Sequence, residues 1–344
     1  MRLGIIGLPQ SGKSTVFDAL TRSLAAPGHR ADDRIATIRV PDARVDALSA
    51  MYAPKKTTFA QVEYFLPGNQ AGRPDAQRDQ QFWTPVRDCD ALILVVRNFT
   101  GLDGTRPEPS KAVLGISQEL IIADQIVVEK RLERIAQEKQ RGRKISDEEH
   151  SLLQRCLALL EQETPIRSEP ELHEAKALKG FAFLTAKPLL VLFNNTDEDE
   201  ALPALPGAVT AGESMVIRGK LEQELAQMTE EEALEFLSEF GVSESAMDRV
   251  IRRSYDLLGL ISFFTVGDDE VKAWTIRANT PAVEAAGEIH SDIQKGFIRA
   301  EVVAYDDLMA AGTYAEARKQ ATVRLEGKTY AVQDGDVIHY RFNV

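Results

Sequence analysis

Cysteine is nearly missing from this chain: Cys89 and Cys156 are the only two in 344 residues. Both sit in apolar surroundings, so they read as buried, reduced thiols, and a disulfide framework of the secreted kind is excluded. Long apolar runs are missing too. No stretch approaches the roughly 20 residues that a membrane-spanning helix needs. The first residues carry one Arg and then a strand-like stretch, with no signal-peptide pattern. These absences predict a cytoplasmic protein with no membrane partner. Positive charge is also in short supply: 41 Lys and Arg stand against 53 Asp and Glu, a formal net charge of −12. Such a surface repels phosphate backbones at long range, which leaves a local basic face as the only route to RNA. His29, His150, His173 and His339 are scattered, without the spacing of a zinc site. What remains is an ordinary balance, 27% charged and 44% hydrophobic, with ample length for a buried core in more than one domain.

The opening residues carry the most specific chemistry. Met1–Gly7 (MRLGIIG) is a short apolar run bounded by glycine, as a buried parallel strand would be. Gly7-Leu8-Pro9-Gln10-Ser11-Gly12-Lys13-Ser14-Thr15 then fits G-x-x-x-x-G-K-[ST]. Val16, Phe17, Leu20 and Leu24 follow at helical spacing. Glycines let a backbone curl until its N–H groups converge on an anion, and the helix that follows adds its positive end. Gly7, Pro9, Gln10, Ser11, Gly12, Lys13, Ser14 and Thr15 are therefore the expected phosphate-binding residues. Lys13 reaches the outer phosphates, and the Ser14 hydroxyl is placed to ligate Mg²⁺.

Further along, strands are expected at Ile35–Val40, Gln61–Leu66, Ala91–Arg97 and Lys187–Asn194, and a helix capped by Asp42 over Pro41–Met51. Strands alternating with helices predict an α/β fold, a parallel sheet with helices on both faces and ligands at the carboxyl ends of its strands. Pro67–Asp79 reads as a loop. Ile116, Leu120, Ala123 and Val127, and then Leu152, Cys156 and Leu160, step as two long helices laid antiparallel. Their highly charged tip, Arg134–Glu149, is either a basic patch or a solvated turn. Thr229–Leu258 is helical and acidic. Beyond it come six short strand-like segments, Phe263–Val266, Val271–Ile276, Ala300–Val303, Ala321–Leu325, Tyr330–Val332 and Val337–Phe342, with one helix near Tyr305–Ala310.

Several of these stretches resemble the YchF or Obg-like ATPase family, translation-factor-related P-loop proteins: "GLPQSGKST", "VPDARVDALSAMYAPKK", "DCDALILVVRNF" and, most closely, "FFTVGDDEVKAWTIRANTPAVEAAGEIHSDIQKGFIRAEVVAYDDL" with "VQDGDVIHYRFNV". The resemblance covers nearly the whole chain. It implies a P-loop nucleotide-binding domain over 1–115 and 165–260, an antiparallel coiled-coil insertion over 116–164, and a C-terminal TGS domain of β-grasp, ubiquitin-like form over 261–344. It also implies ATP or GTP as ligand with Mg²⁺, and association with ribosomes or with the translation and stress machinery. A monomer is expected, with RNA or ribosome contacts through the TGS domain and the coiled-coil tip. Trp274, His290, Lys295, Phe297 and Arg299 are the TGS residues read as that contact, or alternatively as core and solvated surface.

Departures from the family pattern bear on hydrolysis. The family carries Asp-x-x-Gly after its third strand; here Val62–Leu66 stands in its place, with Glu63 as the substitute metal contact and Leu66 or a shifted Gly68 for the glycine. The first switch is short, and Thr37 is its only threonine. Thr100–Pro109 lacks the histidine that the family places there, and Gln10 replaces an asparagine. Water positioning and charge neutralisation supply most of the rate in this chemistry, so binding is expected to outlast turnover. NTP hydrolysis is thus expected to be weak or partner-dependent, and no catalytic residue is assigned. The alternative is an interaction scaffold with a vestigial site. For the base, Asn194 and Asp197 occupy the place where guanine-binding relatives read Asn-Lys-x-Asp and the family reads Asn-x-x-Glu. Geometry favours guanine and resemblance favours adenine. Arg218, Gly219 and Lys220 are read as the last base-contacting loop.

Overall fold

In a computed structural model the chain is described over residues 1–22, 32–68, 80–101, 104–204, 211–239 and 244–343. Most of the expected loop Pro67–Asp79, together with Leu24 and His29, lies outside these residues. Two compact units emerge, one of Met1–Ala36 with Glu63–Met247 and the other of Thr37–Val62 with Asp248–Val344.

A sheet that lies in the first unit, save for the end of β2 and the start of β4, holds β1 (Arg2–Ile6), β2 (Arg34–Arg39), β4 (Gln61–Leu66), β5 (Ala91–Asn98), β6 (Leu189–Asn195) and β7 (Ser214–Ile217), in the order β2-β4-β1-β5-β6-β7. β4, β1, β5, β6 and β7 pair in parallel. Successive residues of β5 from Ala91 to Val96 are all buried, so the sheet is covered on both faces, as parallel strands require. Between β1 and β2 runs α1 (Lys13–Thr21); α3 (Gln80–Arg87) precedes β5. Trp83 and Val86 of α3 share one core with Leu92, Leu94 and Val96 of β5, Val191 and Phe193 of β6, and Val113, Ile116 and Leu120 of α4 (Pro109–Gln140).

α4 leaves that core and continues as an arm. It spans 32 residues, about 48 Å at the rise of an α-helix. α5 (Asp147–Glu161) returns against it, and Ile121, Val128 and Ile135 meet Leu153, Cys156 and Leu160. Ser146 caps α5 by accepting from the Glu149 amide, and Glu149 takes both a 2.7 Å and a 3.0 Å hydrogen bond from Arg131. The helical stepping of the sequence is thus realised, with α4 starting at Pro109 inside the sheet's core instead of at the expected 116. Asp124 is fully buried within α4 and is fully engaged there. It accepts from Arg87 (2.7 Å), the Leu184 amide (3.1 Å), the Thr185 amide (2.7 Å) and the Thr185 hydroxyl (2.8 Å). After the arm come the short α6 (Pro170–Glu174), then β6, β7, α7 (Gly219–Leu225), α8 (Glu230–Glu239) and α9 (Ala246–Leu257).

The second unit holds α2 (Ala43–Tyr52), capped by Asp42 as expected, and a mixed sheet in the order β11-β10-β12-β8-β9-β3. Its strands are β3 (Lys56–Thr58), β8 (Leu260–Thr265), β9 (Glu270–Arg277), β10 (Phe297–Ala304), β11 (Arg324–Glu326) and β12 (Asp336–Phe342). α10 (Ala282–Ile289) lays Ala282, Ala285 and Ala286 on Phe263, Ile276, Val302 and Ile338, a helix over a mixed sheet. Three helices were not foreseen: α10, α11 (Ser291–Lys295) and α13 (Tyr314–Lys319), beside the expected α12 (Tyr305–Ala311). Tyr330–Val332 is not a strand; only an isolated bridge joins Ala331 to Pro281. Sequence order also hides β3, which leaves its chain neighbours to pair in parallel with β9.

Both cysteines are buried and free, and burial raises their thiols, Cys89 to about 12 and Cys156 to about 11. Among the described residues no helix is long and apolar enough to cross a membrane.

Candidate nucleotide-binding site

β1 ends at Ile6, the chain turns through Gly7–Gly12, and α1 begins at Lys13. Two positions in this turn demand glycine. Gly7 has φ 149° and Gly12 φ 96°, and a Cβ on the first would strike the Val95 carbonyl oxygen, on the second the Asn194 side-chain amide. Gln10 takes the left-handed region as well, at φ 62°. The Ser11 amide donates back to the Leu8 carbonyl at 3.3 Å, and the first bond of α1 runs from Val16 N–H to Gly12 at 2.9 Å. Gly12 gives no side-chain cap. The amides of Lys13, Ser14 and Thr15 therefore lie ahead of any intrahelical acceptor, at the positive end of the helix.

Lys13 folds back over this turn. Its ammonium donates to the carbonyls of Gly7 (2.9 Å) and Leu8 (2.7 Å). Desolvation lowers its pKa to about 8. A cation held by neutral oxygens in a poorly hydrated place, beside free amides, suits an anion. Ser14 is exposed on the first turn of α1. Among the described residues no group of three or more His, Cys, Asp or Glu side chains could hold a metal by itself. The Ser14 hydroxyl is an oxygen donor of the kind Mg²⁺ takes, where one or two protein ligands suffice and phosphate oxygens and water complete the shell.

Asn194 joins the two ends of the site. It is buried, its Nδ2 donates to the Ser11 carbonyl at 3.1 Å, and its Oδ1 accepts from the Gly219 amide at 2.9 Å. A Cβ on Gly219 would press on that same amide. Asp197, Arg218, Gly219 and Lys220 gather around it. Lys220 Nζ is 4.0 Å from the Asp197 carboxylate, and Arg218 pairs with Glu200 at 2.8 Å and reaches the Asp197 carbonyl at 3.5 Å. Asn195, in the place of the guanine-type lysine, is spent on the loop itself: it donates to the Asp199 and Ala201 carbonyls at 3.0 and 2.9 Å and accepts from Asn98 at 2.9 Å.

Glu63 does not join this group. It pairs with Arg2, and the strand register sets Arg2 opposite Glu63 at the start of β1, whereas the phosphate loop leaves the other end of that strand. Leu66 is buried, and Gly68, just past the end of β4, already gives its amide to Asp33 at 2.7 Å. Asp33 was not foreseen; its only sequence signal is the acidic pair ahead of β2. Thr37 lies exposed within β2. Of the residues read from the sequence as an RNA or ribosome contact, Phe297 is core. Trp274 is half-buried, with its indole N–H given to Thr265 and its ring under Lys272. His290 accepts from the Asp292 amide to cap α11, and Lys295 and Arg299 are exposed.

Comparison with known proteins agrees with this picture. A family model described as "YchF-GTPase_C: Protein of unknown function (DUF933)" matches residues 260–343. The chain is 39% identical over 365 aligned positions to "Ribosome-binding ATPase YchF" of Bacillus subtilis (strain 168), covering 99% of each chain. It is 36% identical to the protein of that name from Pasteurella multocida (strain Pm70), over 100% of this chain and 99% of the other. Among solved structures, the Schizosaccharomyces pombe YchF GTPase superposes with a TM-score of 0.82 at 29% identity, over 99% of this chain and 97% of that one. A GTP binding protein from Pyrococcus horikoshii OT3 shares the fold at a TM-score of 0.53 and 17% identity. With identity of this order running from end to end, the chain belongs to the YchF family.

Proposed function

We propose that this protein binds ATP or GTP with Mg²⁺ in the loop Gly7–Thr15 and, in that state, associates with ribosomes in the cytoplasm. The observation that carries the reading is Lys13: a desolvated ammonium bent onto the carbonyls of its own loop, beside the unspent amides of a helix start. A polyphosphate offers that ammonium the negative partner that neutral carbonyls do not. Bound Mg²⁺ would neutralise charge on the outer phosphates, with Ser14 as its protein ligand. Asn194 would hold the loop in register with Asp197 and Lys220, which flank the base. The named functions of the relatives, "Ribosome-binding ATPase" and "GTPase", support the same reading.

Hydrolysis, in this reading, is slow or waits on a partner. Glu63 is turned away, and Thr100–Pro109 has no histidine to orient water. Ribosome contact falls to the arm's tip, where Lys139, Arg141, Arg143 and Lys144 are exposed within six residues of an otherwise acidic chain. Such a patch suits an RNA backbone. Phosphate release with and without ribosomes and K⁺ tests turnover; brisk basal turnover abolished by Lys13→Ala would refute the slow-hydrolysis part. Calorimetry with ATP, GTP and their diphosphates tests binding, and silence with all four favours the scaffold alternative. Reversing the four tip cations to Glu should weaken ribosome co-sedimentation and flatten its salt dependence; unchanged sedimentation removes the tip from the interface.

A further inference from the structure

On the α4 side of the first unit, a cleft of about 590 Å³ opens under the phosphate loop. Leu8–Ser11 form one wall, Leu94 and Val96 of β5 the base, and Ala112 and Ile116 of α4 the opposite wall. That volume lies within the roughly 300–1,000 Å³ usual for small-molecule sites. It shares Leu8–Ser11 and Val95 with the site already described, takes Thr105, Arg106 and Glu108 from the Thr100–Pro109 loop, and includes none of Asn194, Asp197 and Arg218–Lys220. The sheet explains why. Phe193 sits in the core under α4, and successive strand residues point to opposite faces, so Asn194 is carried to the other face and meets the start of α7.

Three features make the cleft more than a packing gap. Its lining brings Arg97, Arg106 and Lys111 against one acid, Glu108. Lys111 is paired with Glu108 at 3.1 Å and Arg97 donates to Thr105 at 3.1 Å, while Arg106 is exposed and has no partner among the described residues. Ser11, on the shared wall, is 2% exposed, and its hydroxyl has no hydrogen-bond partner among the described residues. Gly115 lines the cleft from within α4, where a Cβ would meet nothing within 4 Å. Glycine is a poor residue for a helix interior, and no neighbour here requires it. Its bareness keeps the cleft open.

We propose that this cleft binds a small organic anion: a carboxylate, sulfonate or phosphate monoester group held by Arg106, and an apolar body laid on Leu94, Val96 and Ile116. It is a second site, filled alongside the nucleotide and independent of Lys13. The test is a fluorescence titration of the full chain with 1-anilinonaphthalene-8-sulfonate, an aromatic sulfonate of suitable size. One saturable site is expected. Arg106→Glu should weaken it by about tenfold or more, as loss of one charge-assisted hydrogen bond does, and Arg106→Lys should retain most of it. Gly115→Leu should abolish it by filling the space, with a melting temperature close to that of the parent. Lys13→Met should leave it unchanged. The proposal fails if the parent shows no saturable binding, if Arg106→Glu titrates like the parent, or if Lys13→Met removes the signal, which would put the probe in the nucleotide chamber. Should Gly115→Leu not fold, the Arg106 pair decides alone.

Discussion

Replacing Lys13 by methionine should make the ligand-free protein more stable while removing its nucleotide binding. The reasoning starts from desolvation. A lysine whose pKa falls from its ordinary 10.5 to about 8 is opposed in its charged form by roughly 3 kcal/mol at neutral pH. Methionine fills nearly the same volume with no charge to bury. Against that gain stand the two hydrogen bonds to the Gly7 and Leu8 carbonyls, each contributing about 1 kcal/mol net. The balance is a stabilisation of about 1 kcal/mol for Lys13→Met at pH 7. The pH dependence has a definite sign. Between pH 8 and 10.5 the unfolded chain holds the Lys13 proton more firmly than the folded one, so the parent gains stability as pH rises through that window. The advantage of Lys13→Met should therefore shrink between pH 7 and pH 10. Urea denaturation of both proteins without nucleotide, at pH 7 and pH 10, measures it. A variant less stable than the parent at pH 7, with a gap that does not move with pH, would show that the ammonium is well solvated and that the anion-site argument is wrong.

Three further outcomes follow from buried polar groups. Asn194→Ala strands the Ser11 carbonyl and the Gly219 amide; it should cost about 2–4 kcal/mol in urea denaturation and weaken nucleotide binding in calorimetry, whereas a loss below about 1 kcal/mol would mean that the bridge carries little. Asp124→Ala takes the carboxylate partner from Arg87, which keeps only the Ala123 and Ala182 carbonyls, and the acceptor from the amides at 184 and 185, with an expected loss of about 3–5 kcal/mol by the same measurement. In the second unit, burial raises the Glu301 carboxyl but Tyr314, Arg318 and Arg341 outweigh it and hold its pKa low. Its contribution is present above the ordinary 4.5 and lost as pH falls below it, so Glu301→Gln should lower the melting temperature at pH 7 and blunt the acid sensitivity that the parent shows below pH 4.5.

The phosphate loop was legible because its physics is local. Two glycines, a lysine and a helix start within nine residues need no distant partner to be recognised. The core strands of the parallel sheet were equally plain, since strands buried on both faces leave long apolar runs. Glu63 shows where local reading stops. Its residue type suits a metal, but only the register of β4 on β1 says at which end of the strand it lies. β3 escaped because three residues, Lys56–Thr58, have no pattern of their own and are strand only through β9. α13 had a signal that went unused: Thr313 accepts from the Glu316 amide, and Thr-x-x-Glu was visible in the sequence. α10 is alanine-rich and bears few of the large apolar residues by which helical stepping is usually traced. Asn194 was legible as a candidate base contact, but its grip on Ser11 and Gly219 spans separations of 183 and 25 residues, which no motif records.

That grip has a bearing on how the molecule tells one ligand from another. In the proposed reading, a single amide would clamp the cradle for the tail and the seat for the ring to one strand end and so fix the distance between them. A molecule with too short a tail or a misplaced ring would find one of the two and miss the other. Discrimination of that kind would be built in before any ligand arrives.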